Sequence, residues 1–137
     1  MITKEYLAGF VDGEGSISCY KRKDTRVKKG YTINAIFSVS ATNKEVIQEI
    51  ANMVNLKFRL KSNGKNCKQI YELQIQTLGK MGEFLETIKD SLIVKKKQAE
   101  LMIEYCKSRI NNSGNVYSNR EIQIADIITK LNKRGVK

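Results

Sequence analysis

Two carboxylates, Asp12 and Glu14, stand inside a glycine-punctuated run, Leu7-Ala8-Gly9-Phe10-Val11-Asp12-Gly13-Glu14-Gly15-Ser16-Ile17. The run reads as a helix that turns into a strand. Gly9 and Gly13, four residues apart, lie on one side of that helix and let another backbone approach closely. The helix then stops, with Gly13 and Gly15 permitting a sharp exit that leaves an acid at its carbonyl end. That end already carries partial negative charge, so a carboxylate is poorly placed there unless a cation joins it. The eleven residues thus encode a helix contact and a metal site together.

The elements that must position these groups are legible from periodicity. Thr3 caps a helix over about 4–13. From Ser16 the period becomes two, with Ile17 and Cys19 on one face and Ser18, Tyr20 and Arg22 on the other. A charged connection, Lys23 to Gly30, leads to Tyr31–Ser40, where Ile33, Ala35, Phe37 and Val39 alternate with Thr32, Asn34, Ile36, Ser38 and Ser40. This predicts a long antiparallel hairpin, apolar on one face and polar on the other. Thr42 or Asn43 caps a helix carrying Val46, Ile47, Ile50, Ala51 and Val54. A second hairpin follows: Phe58 and Leu60 alternate with Arg59 and Lys61, a turn falls near Asn63-Gly64-Lys65-Asn66, and Tyr71, Leu73 and Ile75 alternate with Ile70, Glu72, Gln74 and Gln76. Thr77 opens a helix with Met81, Phe84, Leu85 and Ile88 inward. Two more helices, about 95–110 and one after the polar loop 111–119, complete the chain.

The order α-β-β-α-β-β-α plus two helices predicts one α+β domain over residues 1–137. It has a four-stranded antiparallel sheet with helices on one face. The uncovered face displays Ser18, Tyr20, Arg22, Asn34 and Ser38 from the first hairpin, and Arg59, Lys61, Gln74 and Gln76 from the second. Long hydrogen-bonding side chains on extended strands suit base edges and phosphates. Both hairpin tips are basic: Lys28 and Lys29 on the first, Lys65 and Lys68 on the second, all placed to meet phosphates. An ordinary solvated sheet face is the competing reading.

Composition points the same way. The chain has 137 residues, a formal net charge of +11 and 41% hydrophobic residues, without proline. The charge favours a polyanionic partner. No apolar run reaches membrane-spanning length and no signal pattern opens the chain, so an intracellular protein without a membrane partner is expected. With no histidine and three scattered cysteines (Cys19, Cys67, Cys106), a Cys/His zinc site is excluded and reduced thiols are expected.

Residues 7–15 resemble the nine-residue signature of the LAGLIDADG homing endonucleases, with Phe10-Val11 in the two middle apolar positions, Gly13 for alanine and Glu14 for the final aspartate. The element order also matches that family's fold. Leu92-Ile93-Val94-Lys95-Lys96-Lys97-Gln98-Ala99 is similar to the segment where the family carries a basic active-site residue. The resemblance implies a sequence-specific DNA endonuclease of intron-homing type, with double-stranded DNA and no small molecule as substrate. It further implies a metal-dependent double-strand break that leaves short 3′ overhangs. Because the motif occurs once, it implies a C₂ homodimer, packed through Gly9, Phe10 and Gly13, on a long pseudo-palindromic site. Glu14, helped by the Gly13 carbonyl, would hold Mg²⁺ (or Mn²⁺ in its place), since hard oxygens suit that ion. Lys95 would organise the attacking water and stabilise developing charge.

Asp12 reads as a helix-end hydrogen bonder, or as an acid supporting the site without ligating metal. A polar residue for the water network falls among Ala41, Thr42 and Asn43. Replacing Lys65 should weaken binding to all sequences, whereas replacing Arg59 should relax preference at one or two base pairs. The alternative is a binding protein on the same scaffold that does not cut, either an RNA maturase or a DNA-binding regulator. The host could be an organelle, a phage or a microbe.

Overall fold

The computed structural model describes residues 2–61, 68–112 and 116–135. Along the chain run α1 (Lys4–Glu14), β1 (Gly15–Lys23), β2 (Tyr31–Ala41), α2 (Lys44–Val54), β3 (Arg59–Lys61) and β4 (Ile70–Ile75). They are followed by α3 (Leu78–Ile88) with a 3₁₀ turn (Lys89–Ser91), α4 (Lys96–Asn111) and α5 (Asn119–Gly135). The four strands form one antiparallel sheet in the order β1-β2-β4-β3. Ile17 of β1, Phe37 and Val39 of β2, and Leu73 and Ile75 of β4 point to the helix layer and are buried. They meet Leu7 and Val11 of α1, Ile47 and Ile50 of α2, Leu85 and Ile88 of α3, Met102 of α4 and Ile124 of α5 in one core. Phe37 and Phe84 join the layers, ring centroids 5.2 Å apart. Each such side chain contributes about 1.5–3 kcal/mol relative to exposure, enough to fix which face of every strand turns inward.

The helix starts follow the sequence closely. The Thr3 hydroxyl accepts the Tyr6 N–H at 3.1 Å. Of the two residues open for the second cap, Asn43 takes the role, its Oδ1 accepting the Val46 N–H at 3.2 Å. Thr77 precedes α3 without a side-chain capping bond.

The exit from α1 is made differently from the expected glycine pair. Gly13 simply continues the helix, and Gly15 leaves it in an ordinary extended conformation (φ −86°, ψ 162°). What requires glycine at 15 is space, since a Cβ there would lie 2.8 Å from the Val11 carbonyl oxygen. The left-handed conformation appears instead at Gly30 (φ 81°), at the end of the β1–β2 connection.

The two hairpins are unequal. β1 and β2 pair over nine positions, from Gly15 opposite Val39 to Lys23 opposite Tyr31. Among the described residues β3 contributes Arg59, Leu60 and Lys61, opposite Glu72, Tyr71 and Ile70. Leu60, placed by its alternation on the apolar face, is 63% exposed, because this end strand extends beyond the packed helices. The expected turn at Asn63–Asn66, with Lys65 and Cys67, lies outside the described residues. β4 covers β2 from Phe37 onward, and beyond that the Ile33 N–H donates to the Tyr117 hydroxyl at 2.9 Å. On the far side of β1, α5 lies along the strand, Thr129 and Asn132 donating to the Cys19 and Ile17 carbonyls at 3.0 and 2.9 Å.

Candidate active site and nucleic-acid interface

The carbonyl end of α1 gathers three of the predicted groups. Asp12 turns its carboxylate away from its own helix and onto the segment leading into α4. Its Oδ2 accepts the Ile93 N–H at 2.8 Å, and its Oδ1 accepts the Val94 and Lys95 N–H groups at 3.2 and 2.9 Å. A carboxylate at the C-terminus of α1 is unfavourable, yet the same group sits at the N-terminus of α4, where amide dipoles welcome negative charge. Lys95 closes the ring, its Nζ donating to the Asp12 backbone carbonyl at 2.8 Å. The cation that the acid-ended helix requires is therefore supplied by the chain itself. Lys95 is half-buried, while its neighbours Lys96 and Lys97 are exposed, and only Lys95 of the three reaches α1 in this way.

Glu14, the last residue of α1, is exposed. It opens into a shallow hollow with Phe10, Ser40, Ala41, Thr42, Asn43 and Ile70. Asn43 spends an amide-oxygen lone pair on the α2 cap, and the Thr42 hydroxyl lines the hollow beside it. The Glu14 carboxylate and the helix-end carbonyls are hard oxygen donors of the type a divalent cation takes. They are too few to complete a site, and among the described residues no group of three or more Asp, Glu or Cys side chains could hold a metal.

The outward face of α1 is unusual for a solvated helix. Gly9 and Gly13 are exposed, and a Cβ built at either meets nothing within 4 Å. Glycine in a helix interior costs about 1 kcal/mol relative to alanine, and nothing among the described residues requires it at these positions. Tyr6 stacks on half-buried Phe10 along the same helix, and the nearby Ile93 and Val94 are 86% and 69% exposed. Sequence reasoning missed these last two. Two apolar residues directly before a lysine run were the available signal.

The polar sheet face has the composition its alternation promised. Cross-strand rows place Ser16 beside Ser38 and Gln74, Ser18 beside Ile36, Tyr20 beside Asn34, and Arg22 beside Thr32. Several of these groups touch: the Asn34 Nδ2 lies 3.5 Å from the Tyr20 hydroxyl, and Gln76 donates to Gln74 at 3.3 Å. Arg22, Lys28, Lys29 and Lys68 are exposed, while Lys65 falls outside the described residues. Arg59 and Lys61 face outward as expected, but they do not stand as bare cations. Glu72, 8% exposed, binds Arg59 through Nε at 2.7 Å and Nη2 at 2.5 Å, with the Lys61 Nζ 4.0 Å away. The sequence reading placed Glu72 on this face without assigning it these partners.

On the helix side a second acid went unassigned. Glu121 is fully buried at the α4–α5 junction, bound by the Ser108 hydroxyl, the Ser118 N–H at 2.9 Å and Arg109 at 3.1 Å. Burial pushes its carboxyl up, but the bonds from Ser108, Ser118, Arg109 and Asn112 outweigh that and hold it below the usual range. The thiols of Cys19 and Cys106 are buried, and desolvation raises both to about 12.

A four-stranded antiparallel sheet backed by helices on one face, entered from a glycine-bearing helix that ends in an acid, defines the class of α-β-β-α-β-β-α homing-endonuclease folds. The LAGLIDADG endonuclease profile matches residues 7–103, and the chain belongs to that family. Comparison with curated proteins finds no match. Among solved structures, the chain is similar to the archaeal intron-encoded homing endonuclease I-Vdi141I complexed with DNA. That similarity has TM-score 0.72 and 26% identity, over 93% of this chain and 82% of that one. It is also similar in fold to I-CvuI, solved in complex with an I-CreI target in the presence of Mg with the DNA not cleaved (TM-score 0.72, 19% identity, 93% and 80% of the two chains). A third fold neighbour is the LAGLIDADG homing endonuclease I-SmaMI bound to cleaved DNA (TM-score 0.69, 19% identity), of which this chain covers 42%.

Proposed function

We propose that the protein is a homodimeric, sequence-specific DNA endonuclease that makes a metal-dependent double-strand break in a long pseudo-palindromic target and leaves short 3′ overhangs. The observation that carries this reading is the end of α1, where an exposed Glu14 and a Lys95 held on the Asp12 carbonyl lie beside a polar sheet face. The DNA complexes of I-Vdi141I and I-CvuI support the choice of substrate.

The dimer is supported by the motif occurring once and by two exposed glycines of α1 facing open space. A second α1 packed there gives Gly9 and Gly13 their purpose, with Phe10 filling the contact, and brings two Glu14 carboxylates together. Glu14 and the Gly13 carbonyl would hold Mg²⁺, or Mn²⁺ in its place, which would supply an activated water and charge neutralisation at the scissile phosphate. Lys95 spends one N–H on Asp12 and keeps two for a water or phosphate oxygen. There it stabilises charge as it develops. Ser18, Tyr20, Arg22, Asn34, Ser38 and Gln74 read base edges, with Arg59 and Lys61 held beside them by Glu72. Lys28, Lys29, Lys65 and Lys68 meet phosphates.

The test incubates the protein with duplex DNA carrying its intronless host locus and Mg²⁺, beside Glu14→Gln. Wild type should cut both strands, and Glu14→Gln should lose about a thousandfold or more in rate while still binding. A wild type that binds intron RNA and cuts no DNA would establish the maturase reading instead. Gel filtration with DNA that yields only monomer would sink the shared active site.

A further inference from the structure

Among the described residues Asp12 is the one that hydrogen-bonds Lys95 at both its backbone and its side chain. Its carboxylate accepts three successive N–H groups of residues 93–95, and its carbonyl accepts the Lys95 ammonium at 2.8 Å. An ionised carboxylate has the lone pairs for this; an amide in its place has one oxygen and adds two N–H donors facing other donors. Charge-assisted bonds of this kind are roughly twice as strong as neutral ones. The bonds span 81 to 83 residues of chain, so they join α1 to the entry of α4 rather than capping a helix locally. Glu14 forms no ion pair with Lys95 among the described residues, and nothing from the acid at the end of α1 holds the ammonium in place.

We propose that Asp12 is the positioning residue for Lys95. Its carboxylate clamps the 93–95 backbone so that the Lys95 ammonium is delivered to the carbonyl end of α1 beside Glu14, while Ile93 and Val94 are turned outward. Asp12 neither ligates metal nor touches substrate. It acts through Lys95, and the proposal rests on the nuclease reading of Lys95 given above. A residue of this kind affects the chemical step and leaves DNA binding largely alone.

The experiment compares wild type, Asp12→Asn, Lys95→Met and the double variant, with folding checked by circular dichroism. Three quantities are read: the single-turnover rate on the target duplex with Mg²⁺, target affinity with Ca²⁺, and Lys95 acetylation relative to Lys96 and Lys97 without DNA. Asp12→Asn should slow cleavage about tenfold to a hundredfold, as loss of a supporting partner does at comparable sites, with affinity little changed. The double variant should be no slower than Lys95→Met alone. Lys95 acetylation should rise about fivefold, corresponding to one net hydrogen bond, with Lys96 and Lys97 unaffected. Multiplicative losses in the double variant, or unchanged Lys95 acetylation, would overturn the clamp. If Lys95→Met cuts at the wild-type rate, the catalytic reading of Lys95 fails, and the acetylation comparison still decides the clamp on its own. Should Asp12→Asn fail to fold, the same comparison on Asp12→Glu decides: faster Lys95 acetylation supports the proposal, and an unchanged rate overturns it.

Discussion

The helix layer and the sheet face treat their cations in opposite ways. On the helix side acids stand beside bases: Glu104 holds Arg120, Glu86 holds Lys89 and Lys107, and buried Glu121 holds Arg109. Along the first hairpin, Asp24 is committed to Arg26 and the α5 acid Asp126 reaches Lys21, while Arg22, Lys28 and Lys29 stay exposed with no acid bridged to them among the described residues. The exposed cations of the first hairpin therefore offer a polyanion an attractive surface on the sheet side. The second hairpin sits between these extremes, its Arg59 and Lys61 tempered by Glu72.

This contrast can be broken from either side, and the largest effect belongs to the helix layer. Glu121→Gln removes the charge from a fully buried acid and takes the carboxylate away from Arg109, which should cost about 3 kcal/mol in denaturant unfolding. Because the folded carboxyl is held low, its contribution is present above the ordinary glutamate range near about pH 4.3. It disappears as pH falls through the depressed folded value, so the variant should show a flatter acid limb in its stability-pH curve. DNA affinity of the folded variant should not change, and a matching loss of binding would blur the contrast.

Next in size, Lys28→Ala with Lys29→Ala should weaken binding to every duplex about tenfold near physiological salt and lower the log–log salt slope by about 2. Lys107→Ala, a helix-side change of one charge, should leave both unaltered in the same titration. Smaller still, Glu72→Gln should tighten binding to unrelated duplexes by less than about tenfold, because Arg59 and Lys61 lose their counter-charge. It should also blur base preference, as measured by binding to a panel of single-base-pair variants. The smallest expected effect is none. Cys19 and Cys106, held up to about 12 and buried, should resist alkylation near neutral pH until the protein unfolds. Rapid labelling of the native protein would show an open core.

What the sequence disclosed was what depends on local period and short motifs. The α1 acids, the alternation from Ile17 to Val39 and the apolar stripes of α2 and α3 are each read within a dozen residues, and the structure keeps them. Partnerships across long separations were out of reach. No local pattern says that Asp12 will bind the amides of 93–95, and the facing of Arg59 to Glu72 depends on the pairing register of β3 on β4. Glu121 is an intermediate case. It precedes buried Ile124 and Ile128 at helical spacing, so an acid on an inward stripe was visible, but its partners were not.

The way α5 lies along β1 constrains how copies of this chain can associate. With the Cys19 and Ile17 carbonyls already bonded to Thr129 and Asn132, one border of the sheet is closed to strand addition. At the opposite border the described part of β3, Arg59–Lys61, presents the charged side chains that blunt an edge against strand addition. Self-association by strand exchange, which tends to run on into fibres, is disfavoured at both ends. What remains is a helix face that, used once by each of two copies, closes on itself and stops at two.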